Sequence, residues 1–167
     1  MFKRRHPLSS KDIKQLLTRL QTLPWLNKNL SKEMKFELAE LQPEEKIYVV
    51  NGFPLLIEID ANTMIPTLRA KDLLLNMTRV VVDMGAVPHI VNGADVMAPG
   101  IREIRGSCQV GDIVVVVDEI HDREIAIGQA LKSAEEILRG DRKGKAFKNL
   151  HHVGDRIWKA IQQLSSP

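Results

Sequence analysis

The side chains able to do chemistry fall into two groups. One is a basic run near the C-terminal end, Lys143, Lys145, Lys148, His151, His152 and Arg156. The other is a glycine-framed segment holding Gly85, Ala86, His89, Asn92 and Gly93. Clustered Lys and Arg can neutralise a polyanion, and His or Asn can reach hydrogen-bonding edges. The spacing suits binding rather than bond-making. His151 and His152 are adjacent in a segment expected to be a strand, where neighbours point to opposite faces, so they cannot share one metal ion. No carboxylate cluster completes a metal site. Cys108, the single cysteine, excludes an internal disulfide and has no partner base nearby, with His121 only a distant candidate. Asp83 and Asp95 read as turn and cap residues whose oxygens satisfy backbone amides. With no phosphate loop or nucleophile motif, the chain is expected to be neither an enzyme nor the holder of a cofactor or metal.

Charge distribution says more than net charge. The formal total is only +3, but residues 1–35 hold nine Lys/Arg against two Asp/Glu and residues 139–159 hold seven against two. The other 111 residues hold eight against seventeen, so two basic ends flank an acidic middle. Such clusters are what a polyanionic partner requires, because neutralising phosphates releases condensed counterions. No apolar run approaches the roughly 20 residues that cross a bilayer, and the basic N-terminus lacks the apolar core of a signal peptide, so a cytoplasmic protein without a membrane partner is expected.

The elements that must position these residues follow from periodicity. Ser10 to Thr22 predicts an amphipathic helix capped by Ser9 and stopped by Pro24, with Lys11, Lys14 and Arg19 turned to solvent as a secondary basic patch. Phe36 to Leu41 leans to strand. Asn51-Gly52 between two β-rich runs predicts a tight hairpin, and Pro54 predicts an edge strand or an outward-facing imide. A short helix is expected over Arg69 to Asn76. Beyond it, strands are expected at Val80 to Asp83, Val96-Met97, Ile113 to Val117, Glu124 to Ala130 and Ala146 to Leu150. Ile113 to Val117 is central to its sheet. Short helices are expected over Gly85 to Val91, with Pro88 in the first turn and Gly93 beyond the end, and at Ser133 to Arg139, with a last one over Arg156 to Leu164. Met64, Met77, Met84 and Met97 read as core filler. Few aromatics, 4% of residues, argue against a sequence-reading single-strand binder. The fold class is α+β: a mixed α/β domain over 1–77, then a small partly open β barrel over 78–167.

Asp83-Met84-Gly85-Ala86, Asn92-Gly93-Ala94-Asp95, Met97-Ala98-Pro99-Gly100-Ile101, Gly111-Asp112, Ala126-Ile127-Gly128 and Gly154-Asp155-Arg156-Ile157-Trp158, in this order and spacing, resemble the PUA domain. The resemblance implies a β pseudo-barrel whose early helix and final strand form an RNA-binding face, with Gly85 and Gly93 bringing backbone close to the ligand and the helix N-terminus offering amides to phosphate. Leu23-Pro24-Trp25-Leu26, the Asn51-Gly52 hairpin and Pro66-Thr67-Leu68-Arg69 extend the resemblance over nearly the whole chain. They make it similar to the eukaryotic multiple copies in T-cell malignancy family and its archaeal relatives. That resemblance implies a factor binding structured RNA, rRNA or tRNA, on the small ribosomal subunit, and a protein partner with an initiation-factor-like domain. An accessory of a pseudouridine or archaeosine enzyme, and a protein-interaction or small-molecule regulatory module, are the other readings; an apolar pocket beside Gly85 would favour the last.

Overall fold

The computed structural model describes residues 2–164. The chain divides into two compact units: Met1–Asn76 with the chain from Ala160 on, and Met77–Lys159.

The first unit is built from β1 (Phe2–Pro7), α1 (Ser10–Leu20), β2 (Phe36–Leu41), β3 (Lys46–Val50), β4 (Phe53–Asp60), β5 (Thr63–Pro66) and α2 (Lys71–Leu74). The five strands form one antiparallel sheet in chain order. Ser9 caps α1 by accepting the Asp12 amide at 3.1 Å. The apolar stripe of α1 then buries Leu16 and Leu20 among Phe36, Leu38, Tyr48 and Val50. Asn51 and Gly52 take φ of 51° and 81° and turn β3 into β4, the left-handed pair a two-residue hairpin requires.

One strand here has no sequence expectation behind it, the secondary basic patch meets a correction, and of the two alternatives for Pro54 the edge strand is set aside. β1 carries almost no apolar alternation. It is instead an edge strand with cations along it, where Arg4 pairs with Glu40 at 3.0 Å and Arg5 with Glu37 at 2.9 Å across to β2. Arg19 is not a free cation of the secondary patch. It is partly buried, pairs with Glu58 of β4 and donates to the Ala61 carbonyl at 3.0 Å, while Lys11 and Lys14 stay exposed. Pro54 lies on an interior strand, not an edge. The ladder shifts register between Tyr48 and Val49, opposite it, and the Pro54 carbonyl accepts the hydroxyl of fully buried Thr67 at 2.8 Å.

The second unit holds β6 (Arg79–Val82), α3 (Val87–Ile90), β7 (Val96–Met97), a 3-10 turn over Ala98–Gly100, β8 (Ile101–Arg105), β9 (Ile113–Asp118), β10 (Glu124–Ala130), α4 (Ala134–Arg139) and β11 (Lys145–His152), and α5 (Arg156–Leu164) starts in it. Its six strands are ordered β7-β11-β10-β9-β6-β8, with β6 and β9 parallel and the other pairs antiparallel. The two edge strands, β7 and β8, are consecutive in the chain and joined only by Ala98–Gly100, so the sheet must curl until its edges meet as a partly open barrel. Val114 to Val117 are fully buried on both faces of β9, as a central strand demands. Ser133 and Glu136 exchange bonds as a capping box on α4. β8, with its sequence IREIR, lies in a region where no strand is expected from periodicity.

Replacing Thr67 with Val keeps the volume but leaves the Pro54 carbonyl buried without its hydroxyl. The expected cost is about 1–2 kcal/mol in urea unfolding followed by tryptophan fluorescence, with Trp25 as reporter in the same unit.

Candidate nucleic-acid interface

The interface is built around one turn of helix. The Asp83 Oδ1 accepts the Ala86 amide at 2.8 Å and closes the turn into α3. At the other end the Ala94 amide donates to the His89 carbonyl at 3.0 Å and the Gly93 amide to the Ile90 carbonyl at 3.0 Å. This nested pair ends a helix when the residue between takes a left-handed conformation, and Gly93 has φ of 99°. A side chain at Gly93 would stand in ordinary contact, 3.6 Å from Nε2 of His152, so it is the positive φ and not lack of space that calls for glycine.

Asn149 of β11 holds that loop in place. Its carboxamide donates to the Ile90 and Ala94 carbonyls, each at 2.9 Å, and its own amide donates to Asp95 Oδ1 at 2.9 Å. The other oxygen of Asp95 pairs with Lys145 at 3.2 Å. Burial works to raise the Asp95 carboxyl, but the Asn149 amide, the Lys145 ammonium and the charge of Lys148 outweigh it and hold the group below its ordinary value. Between α3, its following loop, β7 and β11 lies a cleft of about 670 Å³, lined among others by Asp83, Ala86, His89, Gly93, Met97 and Lys145.

Of the residues expected at the site, Ala86, His89, Gly93 and Lys145 therefore share one cleft. Gly85 and Asn92 lie on the turns flanking α3, and Lys143 and Lys148 stand exposed just before and in the middle of β11. Arg156 is exposed in the first turn of α5. His152 donates from Nδ1 to the Val153 carbonyl at 2.9 Å, with its Nε2 on the side of Gly93.

His151 needs correction: it is fully buried, with Nδ1 2.9 Å from Asp155, and cannot touch a ligand. Its partner Asp155 caps α5, accepting the Trp158 amide at 2.6 Å and the His152 amide at 2.9 Å. Burial pushes the Asp155 carboxyl up, but His151 and these amides outweigh it and hold it below the usual range. Met84 and Met97 are not core filler either. They are 38% and 45% exposed, unlike Met64 and Met77. The idea of free helix amides for phosphate meets a single turn whose leading amide, Ala86, is already taken by Asp83. Sequence reasoning missed Asn149; its only signal is an amide side chain interrupting the apolar spacing of KAFKNL. Among the described residues, no group of three or more His, Cys, Asp or Glu could hold a metal ion, and no helix is long and apolar enough to cross a membrane.

A curled six-stranded sheet with an early one-turn helix packed beside its last strand defines the PUA class, and residues 78–153 match the PUA domain. Residues 4–71 match a domain of unknown function, DUF1947. The chain belongs to the family of two-part PUA proteins that includes the translation machinery-associated protein 20 and malignant T-cell-amplified sequences of eukaryotes. Translation machinery-associated protein 20 of Schizosaccharomyces pombe is 31% identical over 134 residues, 76% of this chain and 74% of that one. An uncharacterized protein of Methanocaldococcus jannaschii is 39% identical over 162 residues, 94% of this chain and 96% of its own. The crystal structure of a hypothetical protein from Pyrococcus horikoshii OT3 matches with a TM-score of 0.76 at 37% identity, covering 95% of this chain and 99% of that one.

Two outcomes are expected. Asn149→Leu takes the side-chain donor from the Ala94 carbonyl and leaves the Ile90 carbonyl with the Gly93 amide alone, and should cost about 1–3 kcal/mol by urea unfolding. Asp155 has a depressed folded value, so its contribution is complete above the unfolded carboxylate value of about 3.9 and is lost as pH falls through the folded one. Thermal midpoints of wild type and Asp155→Asn should therefore differ at neutral pH and draw together as pH falls from about 4 through the depressed folded value; a gap independent of pH would refute the pairing.

Proposed function

We propose that the chain is a non-enzymatic RNA-binding protein of the translation apparatus, acting in the cytoplasm on structured RNA of the small ribosomal subunit or on tRNA. The observation that carries this reading is the cationic rim: Lys143 just before β11, and Lys145 and Lys148 on it, follow one another beside the α3 cleft of a PUA domain. The names of the eukaryotic relatives support the translation setting. Phosphate contacts by the lysines supply affinity and the contour of the loop and strand supplies orientation. A partner with an initiation-factor-like domain belongs to the same reading. The cleft mixes Asp83, Asp95, His89 and Lys145 with apolar Ala86, Ile90, Met97 and Pro99, so binding of a small molecule there in place of RNA is the outcome that would favour a regulatory module.

The test is co-sedimentation with purified small ribosomal subunits at physiological salt, with free tRNA as competitor. Retention on subunits supports the ribosomal contact, and transfer to the tRNA fraction supports tRNA. Association with a pseudouridine or archaeosine enzyme instead would support the accessory role. Lys143→Ala and Lys148→Ala should each weaken RNA binding and lower its log-log salt slope by about 0.7 to 0.9 for every phosphate that the variant no longer neutralises. An unchanged slope moves the interface elsewhere.

A further inference from the structure

A leucine-lined groove runs along one flank of α1 in the first unit. Leu16 and Leu20 point from α1 toward the sheet and are buried, whereas Ile13 and Leu17 are only partly covered. The segment that follows, residues 21–35, forms turns without helix or strand and lays Leu23, Trp25, Leu26, Leu30 and Met34 against the same core, each of them also partly buried. Between helix and segment lies a cavity of about 260 Å³ walled by Leu17, Leu20, Leu26 and Leu30, with Gln21 and Lys28 as its polar side. An apolar cavity of about 150 Å³ already accepts benzene, so this groove has room for a leucine- or phenylalanine-sized side chain from outside. The Leu23-Pro24-Trp25-Leu26 stretch, to which the RNA reading gives no role, supplies Leu26 to the wall.

The charge bordering the groove is predominantly positive. Residues 11–35 hold six Lys/Arg against two Asp/Glu. Lys14 precedes Leu17 by three positions and Gln21 by seven, so it stands on the groove flank of α1. Asp12, the one carboxylate of that helix, stands on the opposite flank, where it lines a separate cleft with Arg19, Lys46 and Tyr48. Lys28 lines the groove itself and pairs with Asp72 at 2.9 Å.

An aliphatic seat with a cationic border narrows the occupant. A phosphate among four leucine side chains would lose its hydration without gaining a hydrogen bond, and a nucleobase finds no aromatic face among the lining residues. A basic segment would meet like charge. A second copy of this chain offers no match: α1 is itself basic, α5 carries no carboxylate, and the acidic α4 is six residues long with Ala134 and Ile137 buried in its own barrel. A helix laid beside α1 presents apolar side chains at i, i+3, i+4 and i+7 from one face and can carry carboxylates on its flanks. We infer that the groove docks an acidic amphipathic helix of a protein partner, seated by a leucine or phenylalanine among Leu17, Leu26 and Leu30 and oriented by Lys14 and Lys28. This stands apart from the RNA-binding reading, because it uses the other unit of the chain and a different chemistry.

The experiment uses the full chain, isotopically labelled for amide NMR. The probe is a synthetic helix, capped at both ends, with leucine at i, i+3, i+4 and i+7 and with alanine and glutamate elsewhere. One control peptide replaces the leucines by serine, and another replaces the glutamates by lysine. Saturable shifts are expected with the acidic peptide in the amides of residues 13–17 and 26–30, and each control should bind at least about tenfold more weakly, the scale of one buried leucine. Lys14→Glu, at an exposed position, leaves the leucines in place. It should weaken the acidic peptide about two- to fivefold at low salt and lose that effect at high salt. Leu30→Ser should abolish the shifts; if that variant fails to fold, the three peptides on the wild-type chain still decide. No saturable shift with the acidic peptide, equal binding of the lysine peptide, or shifts produced at these residues only by tRNA or by phosphatidylglycerol vesicles overturns the docking site.

Discussion

Two hydrogen bonds from one carboxamide organise the α3 side of the second unit. Asn149 donates to the carbonyls of Ile90 and Ala94 and so fixes the end of the one-turn helix and the loop after it against β11. The Ile90 carbonyl, at the end of a one-turn helix, also accepts the Gly93 amide, so the Asn149 carboxamide is its second donor and ties the helix end and the Ala94 carbonyl of the loop to one strand. Because the same residue's amide anchors Asp95, and Asp95 in turn engages Lys145, loop geometry and local charge are set by one position on one strand. Gly93 completes the arrangement by giving the loop its left-handed residue.

Charge is unevenly distributed around the candidate interface. Exposed Lys143 and Lys148 flank the start and middle of β11, while the cleft itself is lined by carboxylates and apolar atoms. Surface lysines act on phosphate largely irrespective of base, whereas base edges are read only where the backbone approaches closely. The basic N-terminal segment looked equivalent by charge count, yet Arg4, Arg5 and Arg19 each hold a carboxylate of their own sheet. Its charge contributes more to the architecture of the first unit than the count suggests, and Lys11 and Lys14 are what remains exposed on α1.

Much of the fold was legible because the signals were local. Ser9 before the α1 stripe, the Asn51-Gly52 turn, the valine run of β9 and the capping box of α4 each bring their structure with them. The edge strands β1 and β8 were not legible, since FKRRHP and IREIR owe their conformation to pairing with a neighbour rather than to an apolar period. At the site, the glycine frame and the lysines could be read from their order. The burial of His151 could not, because it depends on Asp155 capping the following helix, and neither could the exposure of Met84 and Met97, because methionine is placed by the shape of the gap it meets.

The proposed RNA contact lies on the loop and strand that Asn149 joins. Amide hydrogen exchange of the full chain, with and without saturating tRNA or small-subunit RNA, reads that location residue by residue. Slowed exchange is expected in residues 85–97 and 143–149, with the strands of the first unit unchanged. Slowing confined to residues 3–19, with the α3 loop and β11 exchanging as in the free chain, would put the RNA on the other basic end and overturn the proposal.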